Sequence, residues 1–185
     1  MDMSPSTKDV TTIGICIALA VAAGYALLHV PNVELITSVS FLSGLVLGSL
    51  RGALVGTVSM FLYSLFNPLG IPFIPVLIAQ VLFMGLAGFV GGLWRMRVRN
   101  RIIHPVMIAG LAGTGLILTL LYDVGTNVGF ALSAGLMSQA FKIIGAGIAF
   151  SFVHLVTNTL LFATLIPATL KVLKIDKVNT ERSGD

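Results

Sequence analysis

The chain has 185 residues, 56% apolar and only 10% charged, with 20 glycines and a formal net charge of +4, and its mean hydropathy is +1.02. Soluble domains carry roughly a quarter charged residues, so this composition excludes a water-soluble fold. It predicts an all-α integral membrane protein: a single domain with little polypeptide outside the bilayer and glycine-rich helices that pack closely.

A membrane span needs about 20 apolar residues at about 1.5 Å of rise each. Taken in chain order, the apolar runs predict a bundle of about six transmembrane helices, over residues 12–30, 35–50, 53–66, 73–94, 103–122 and 143–170. The first run is not read as a secretory signal, because its leader carries Asp2 and Asp9 against a single Lys8 and the chain beyond it stays hydrophobic. The sole cysteine, Cys16, lies in this run, can form no intramolecular disulfide, and reads as a small apolar packing residue. The second and third runs are short and meet at the tight break Arg51-Gly52. The sixth lies in an apolar stretch, 141–173, longer than one span requires, so its first turns could form a separate surface helix.

Basic residues orient the bundle, because Lys and Arg gather in short cytoplasmic loops. With both termini cytoplasmic, ten of the eleven fall inside: Lys8, Arg51, Arg95, Arg97, Arg99, Arg101, Lys171, Lys174, Lys177 and Arg182, leaving only Lys142 outside. The net charge therefore reflects topology. An arginine cluster interleaved with apolar residues gives no reason to expect nucleic-acid binding. Three loops then face outward, over 29–34, 67–72 and 123–142, and the non-basic polar side chains concentrate there.

Gly44, Gly48, Gly52 and Gly56 recur every fourth residue, one pair on a face of span two and one on a face of span three, which predicts a close hairpin whose smooth faces pack within the chain or, as the alternative, meet a partner protein. Ala18, Ala22 and Ala26 form a second smooth face, on span one, equally suited to internal packing or to a partner helix. Charge at membrane depth is expensive and defaults to a functional reading. Glu34, Asp123 and Lys142 are the charges of the outer half, and Asp123 with Lys142 is the ion pair the sequence suggests; solvated loop charges are the plainer reading. Gln80 lies within span four, while His154 and Asn158 share a face of span six. They either wall a polar ligand site or tie helices together. Tyr63, Phe66, Phe73, Tyr122 and Phe130 sit near the outer ends of spans, where an interfacial belt and stacking on a ring-bearing ligand are both open. No paired carboxylates, zinc-ligand spacing, phosphate-cradling loop or nucleophile constellation is present, so the chain reads as a non-enzyme without cofactor or metal.

These features together resemble the substrate-binding S-components of energy-coupling-factor (ECF) vitamin transporters over nearly the whole chain. The resemblance rests on size and six spans, on Ala18-x-x-x-Ala22-x-x-x-Ala26, Val33-Glu34-Leu35-Ile36-Thr37, Arg51-Gly52-Ala53-Leu54-Val55-Gly56, Asn67-Pro68-Leu69-Gly70, Leu121-Tyr122-Asp123 with Thr126-Asn127, and His154 through Asn158 ahead of Pro167. It implies a cytoplasmic-membrane receptor that captures a vitamin or precursor outside and delivers it through a transmembrane coupling subunit driven by two ATPases. On that implication Ala18, Ala22 and Ala26 meet the coupling subunit, and Glu34, Asn67, Gln80, Tyr122, Asp123, Asn127, Lys142, His154 and Asn158 form the substrate site. Metal-ion members of the wider group carry a histidine after the initiating methionine; Asp2 stands there in this chain, which disfavours nickel or cobalt. The competing expectation is a non-catalytic scaffold of the cell-envelope machinery, whose outer polar residues would be dispensable.

Overall fold

The structure, a computed structural model, describes residues 7–98 and 103–182, the side chains of 148–150 and 174–182 excepted. Arg99, Arg101 and Asp2 lie outside the described residues, as do the side chains of Lys174, Lys177 and Arg182. Among the described residues six α-helices follow one another: α1 Thr7–Ala26, α2 Ile36–Leu47, α3 Ser49–Leu65, α4 Ile74–Val98, α5 Pro105–Ser133 and α6 Ala140–Arg182, with a 3-10 turn, Met137–Gln139, before the last. The protein is an all-α membrane protein. Helices α1, α4 and α5 and the segment Ser151–Leu173 of α6 are long and apolar enough to cross a bilayer. Helices α2 and α3 have 12 and 17 residues, roughly 18 and 26 Å of length against a hydrocarbon core of about 30 Å.

The break between α2 and α3 falls at Gly48, not at the expected Arg51-Gly52. Gly48 has φ 92°, a left-handed conformation that favours glycine, and its N–H closes on the Gly44 carbonyl at 2.8 Å. Arg51 is thereby carried into the first turn of α3, where Nη1 meets Asp9 Oδ1 of α1 at 2.9 Å.

The expected outward loop over 123–142 is mostly helix. Helix α5 starts where Pro105 occupies its first turn and His104 Nδ1 accepts from the Met107 N–H at 3.3 Å. It then runs through Asp123 and Asn127 to Ser133. The polar residues that suggested a loop are satisfied within the helix: Thr126 Oγ1 donates to the Tyr122 carbonyl, Asn127 Nδ2 to that of Asp123, and Ser133 Oγ to that of Gly129. Gly135, at φ 69°, ends the run. The sixth apolar stretch contains no separate surface helix, because α6 is continuous from Ala140 with Pro167 inside it.

Glycines set the helix spacing. A Cβ at Gly44 would strike the Gly88 carbonyl, one at Gly52 the backbone of Gly44, one at Gly56 the Met84 carbonyl, and one at Gly88 the Gly52 carbonyl. The period-four glycines therefore press α2 and α3 against each other and both against α4, whose Gly88, Gly91 and Gly92 complete the seam. Below it, Phe41, Leu45, Ala87, Leu111, Leu118, Phe162 and Ile166 form an apolar core. A smaller cluster of Ala20, Ile36, Met60 and Met84 underlies the cavity described next.

Candidate functional site

A cavity of about 420 Å³ opens at one end of the bundle, within the usual range of roughly 300–1,000 Å³ for small-molecule sites. The connection between α1 and α2 covers it with Leu27, Leu28, Val30, Pro31, Asn32, Val33 and Glu34. Its walls come from Met60 and Tyr63 of α3, Asn67 of the next loop, Gln80 and Met84 of α4, Tyr122, Asp123, Thr126 and Asn127 of α5, and Gly147, Ser151 and His154 of α6.

A connected polar cluster crosses this cavity's wall. His154 Nδ1 donates to Asp123 Oδ1 at 2.9 Å, and Nε2 stands 3.5 Å from Glu34 Oε1, at ion-pair distance but without completing a hydrogen bond. Glu34 accepts from the Thr37 N–H at 2.9 Å and from the Thr37 hydroxyl, so the loop carboxylate also satisfies a donor in the first turn of α2. Asn158 Nδ2 donates to Glu34 Oε1 at 3.1 Å and to Thr119 Oγ1 at 3.0 Å. One loop and three helices are thus joined through residues up to 124 apart in sequence. Burial pushes the Glu34 carboxyl up, but His154 and Thr37 outweigh it and hold it below the usual carboxylate range. Its ionised form contributes stability that is full above that range and is lost as pH falls through the lowered value.

Aromatic rings frame the cluster. The Tyr122 ring meets His154 edge-on at 5.8 Å, and Tyr63 packs on Tyr25 at 5.1 Å while its carbonyl accepts from the Tyr25 hydroxyl. Phe66, Phe73 and Phe130 are exposed on the outside of the bundle, so the end-of-span aromatics divide into cavity wall and outer belt.

The structure thus brings Glu34, Asn67, Gln80, Tyr122, Asp123, Asn127 and His154 together around one cavity. Asn158 lies fully buried behind the wall and holds Glu34 in place. Gln80 does two things, lining the cavity and accepting from Ser64 Oγ at 3.0 Å. Lys142 is not brought in: it is exposed in the first turn of α6, outside the lining, and Asp123 bonds His154 instead of it. The expected Asp123 and Lys142 pair fails because both polar faces turn inward, where the imidazole lies one hydrogen bond away. Sequence reasoning missed Asn32, Met60, Met84, Thr126 and Ser151 in the lining and Thr37 and Thr119 behind it. The spacing Thr119, Asp123, Asn127 on α5, opposite Ser151, His154, Asn158 on α6, was the available sign of two facing polar stripes. Among the described residues no group of three or more His, Cys, Asp or Glu side chains could hold a metal ion.

A helical membrane bundle with a polar and aromatic cavity opening at one end has the form of a solute-binding membrane protein. The family model of the ECF-type riboflavin transporter S component matches residues 4–172, and the chain belongs to that family. It is the substrate-binding subunit of an ECF transporter, integral to the cytoplasmic membrane. No curated protein and no solved structure matches it.

Proposed function

We propose that this subunit captures riboflavin from the extracytoplasmic side and passes it inward through a transmembrane coupling subunit driven by two ATPases. The observation that carries the reading is the cavity: tyrosines suit an aromatic ring system, while Glu34, Asn67, Gln80, Asp123 and Asn127 suit a polyol and ring amides. The family description names the same solute.

Six crossings with both termini cytoplasmic give the cavity its side. Lys8 and Arg51 at the starts of α1 and α3, and Arg95 and Arg97 at the end of α4, occupy the bundle end opposite the cavity. Since basic residues mark the cytoplasmic face, the cavity opens outward. Riboflavin added to folded protein in detergent should be quenched to a defined stoichiometry and, at a hundred times its dissociation constant, should stabilise the protein by about 2.7 kcal/mol. Folded protein that shows neither effect would sink the reading.

The docking face for the coupling subunit is Ala18, Ala22 and Ala26. All three are exposed along α1, whereas Ala20 and Gly24 of the same helix are buried inside the bundle. Membrane lipid covers this face until the partner arrives. Ala22→Trp is expected to leave riboflavin affinity within about twofold while abolishing co-purification with the coupling subunit, because small residues are what let two helices approach in lipid. Loss of riboflavin affinity together with the partner would instead make the alanine face part of the internal packing.

A further inference from the structure

We propose that Asp9 and Arg51 are a positioning pair: their contact fixes the rotation of α1 about its own axis and so keeps the alanine face turned away from the bundle, towards a partner helix. The use of that face rests on the docking reading above; its orientation does not.

The pair sits where little else holds α1. Among the described residues α1 packs on α2 and α3 and on no other helix, and only its Ala20 and Gly24 are buried. Both lie in its outer half. There Gly24 is seated so closely on Ile36 and Tyr63 that a Cβ would press into their side chains, and the Tyr25 hydroxyl donates to the Tyr63 carbonyl at 3.2 Å. Towards the inner end the same face runs through Cys16 and Ile13, both partly buried, to Asp9. In lipid, apolar surface does not drive helices together as it does in water, so this smooth, half-open stretch leaves the inner end free to roll. Asp9 Oδ1, 2.9 Å from Arg51 Nη1, ties that end to α3.

Helical register decides what this tie controls. At about 100° per residue, Asp9, Ile13, Cys16, Ala20 and Gly24 fall on one face of α1, and Ala18 lies half a turn round from Asp9. Ala22 and Ala26 follow on the outward side, and all three alanines are exposed. Turning Asp9 towards α3 therefore turns the alanines out. The placement of Arg51 points the same way. It stands in the first turn of α3, at the positive end of the helix dipole, where a cation is disfavoured and a carboxylate beside it offsets the repulsion. The left-handed Gly48 brings it there, since the break it makes starts α3 at Ser49. Side-chain exposures of 41% for Arg51 and 28% for Asp9 keep the tie modest: an ion pair of this kind shifts an equilibrium by up to about fivefold.

Cys16, the sole cysteine, reports the rotation, because it lies on the inward face between the tie and Ala20. In the full chain in detergent, Asp9→Asn and Arg51→Gln are each expected to speed alkylation of Cys16 by N-ethylmaleimide about two- to fivefold. Recovery of the co-expressed coupling subunit should fall by a similar factor, while the thermal melt stays that of the wild type. The swap Asp9→Arg with Arg51→Asp should return alkylation and recovery to wild type; Asp9→Glu, which keeps the charge, serves where the swap does not fold. Unchanged alkylation in the single variants overturns the proposal, whether or not recovery falls. Faster alkylation that neither the swap nor Asp9→Glu reverses overturns it too, as does faster alkylation in a protein whose melt has broadened or collapsed, which would mean a loosened bundle. Faster alkylation reversed by restoring the pair upholds it; if recovery stays constant throughout, the pair stands and the docking reading falls.

Discussion

Replacing His154 with alanine is expected to lower stability at neutral pH by about 3–5 kcal/mol, the usual cost of stripping the partner from a buried charged cluster, and to change how stability responds to acid. In the native protein Glu34 is held below the usual carboxylate range because His154 and Thr37 outweigh its burial. Its contribution is therefore present at neutral pH and is lost as pH falls through the lowered value. Without the imidazole, Glu34 keeps only Thr37 and Asn158, and burial drives its carboxyl towards the neutral form. Ionised carboxylate then becomes a penalty that acid relieves. Thermal midpoints of both proteins, measured from pH 7 down to about pH 5, should converge towards acid. A gap that stays constant across that range would mean that His154 acts by filling space alone. Riboflavin binding should fall with the same substitution, because Asp123 and Glu34 lose the group that stands between them and the Tyr122 ring loses its edge contact.

The second large effect concerns the glycine seam. Gly88→Leu is expected to prevent α4 from closing on α2 and α3. A Cβ there meets the Gly52 carbonyl, and backbone cannot step aside as a flexible side chain can. Overpacking commonly costs about 1–3 kcal/mol where side chains can yield, and this site should exceed that range. Size-exclusion chromatography and a thermal melt in detergent would show aggregated or unfolded protein. Gly113→Ala, a helical glycine with nothing within 4 Å of the added Cβ, should behave as the wild type. A Gly88→Leu protein that melts like the wild type would show that the three helices have room to separate.

Some of this was legible in the residues alone. Hydropathy announces helices in lipid because an unpaired backbone has nowhere else to bond, and it locates α4 well because that run is long and charge-free. The end of α5 was not legible. Asp123, Thr126, Asn127 and Ser133 look like a loop to any reading that treats polarity as a sign of water, yet Asp123, Thr126 and Asn127 face a cavity, and Thr126, Asn127 and Ser133 bond back along their own helix. Gly48 was misjudged for a related reason: four glycines at equal spacing are equivalent in sequence, and only the path of the chain shows which one turns at φ 92° and which ones touch α4.

The candidate site divides in the same way. Glu34, Asp123, His154 and Asn158 stood out because charge and amides are scarce in so apolar a chain and costly to bury. Their partners did not. Lys142 was the obvious mate for Asp123, being the one cation of the outer half, but α6 leaves it exposed and brings His154 instead. By itself, then, the sequence determined the solvent this protein lives in, its helical class and the short list of polar residues that needed an explanation. Those properties follow from transfer free energies that each residue carries wherever it sits. Only the tertiary structure decided that Glu34 crosses 124 positions to meet Asn158, that two carboxylates share one imidazole, and that no lysine or arginine among the described residues lines the cavity. Which polar groups meet depends on helix rotation and on glycine-set spacing, and these are properties of the packed bundle that no single residue carries.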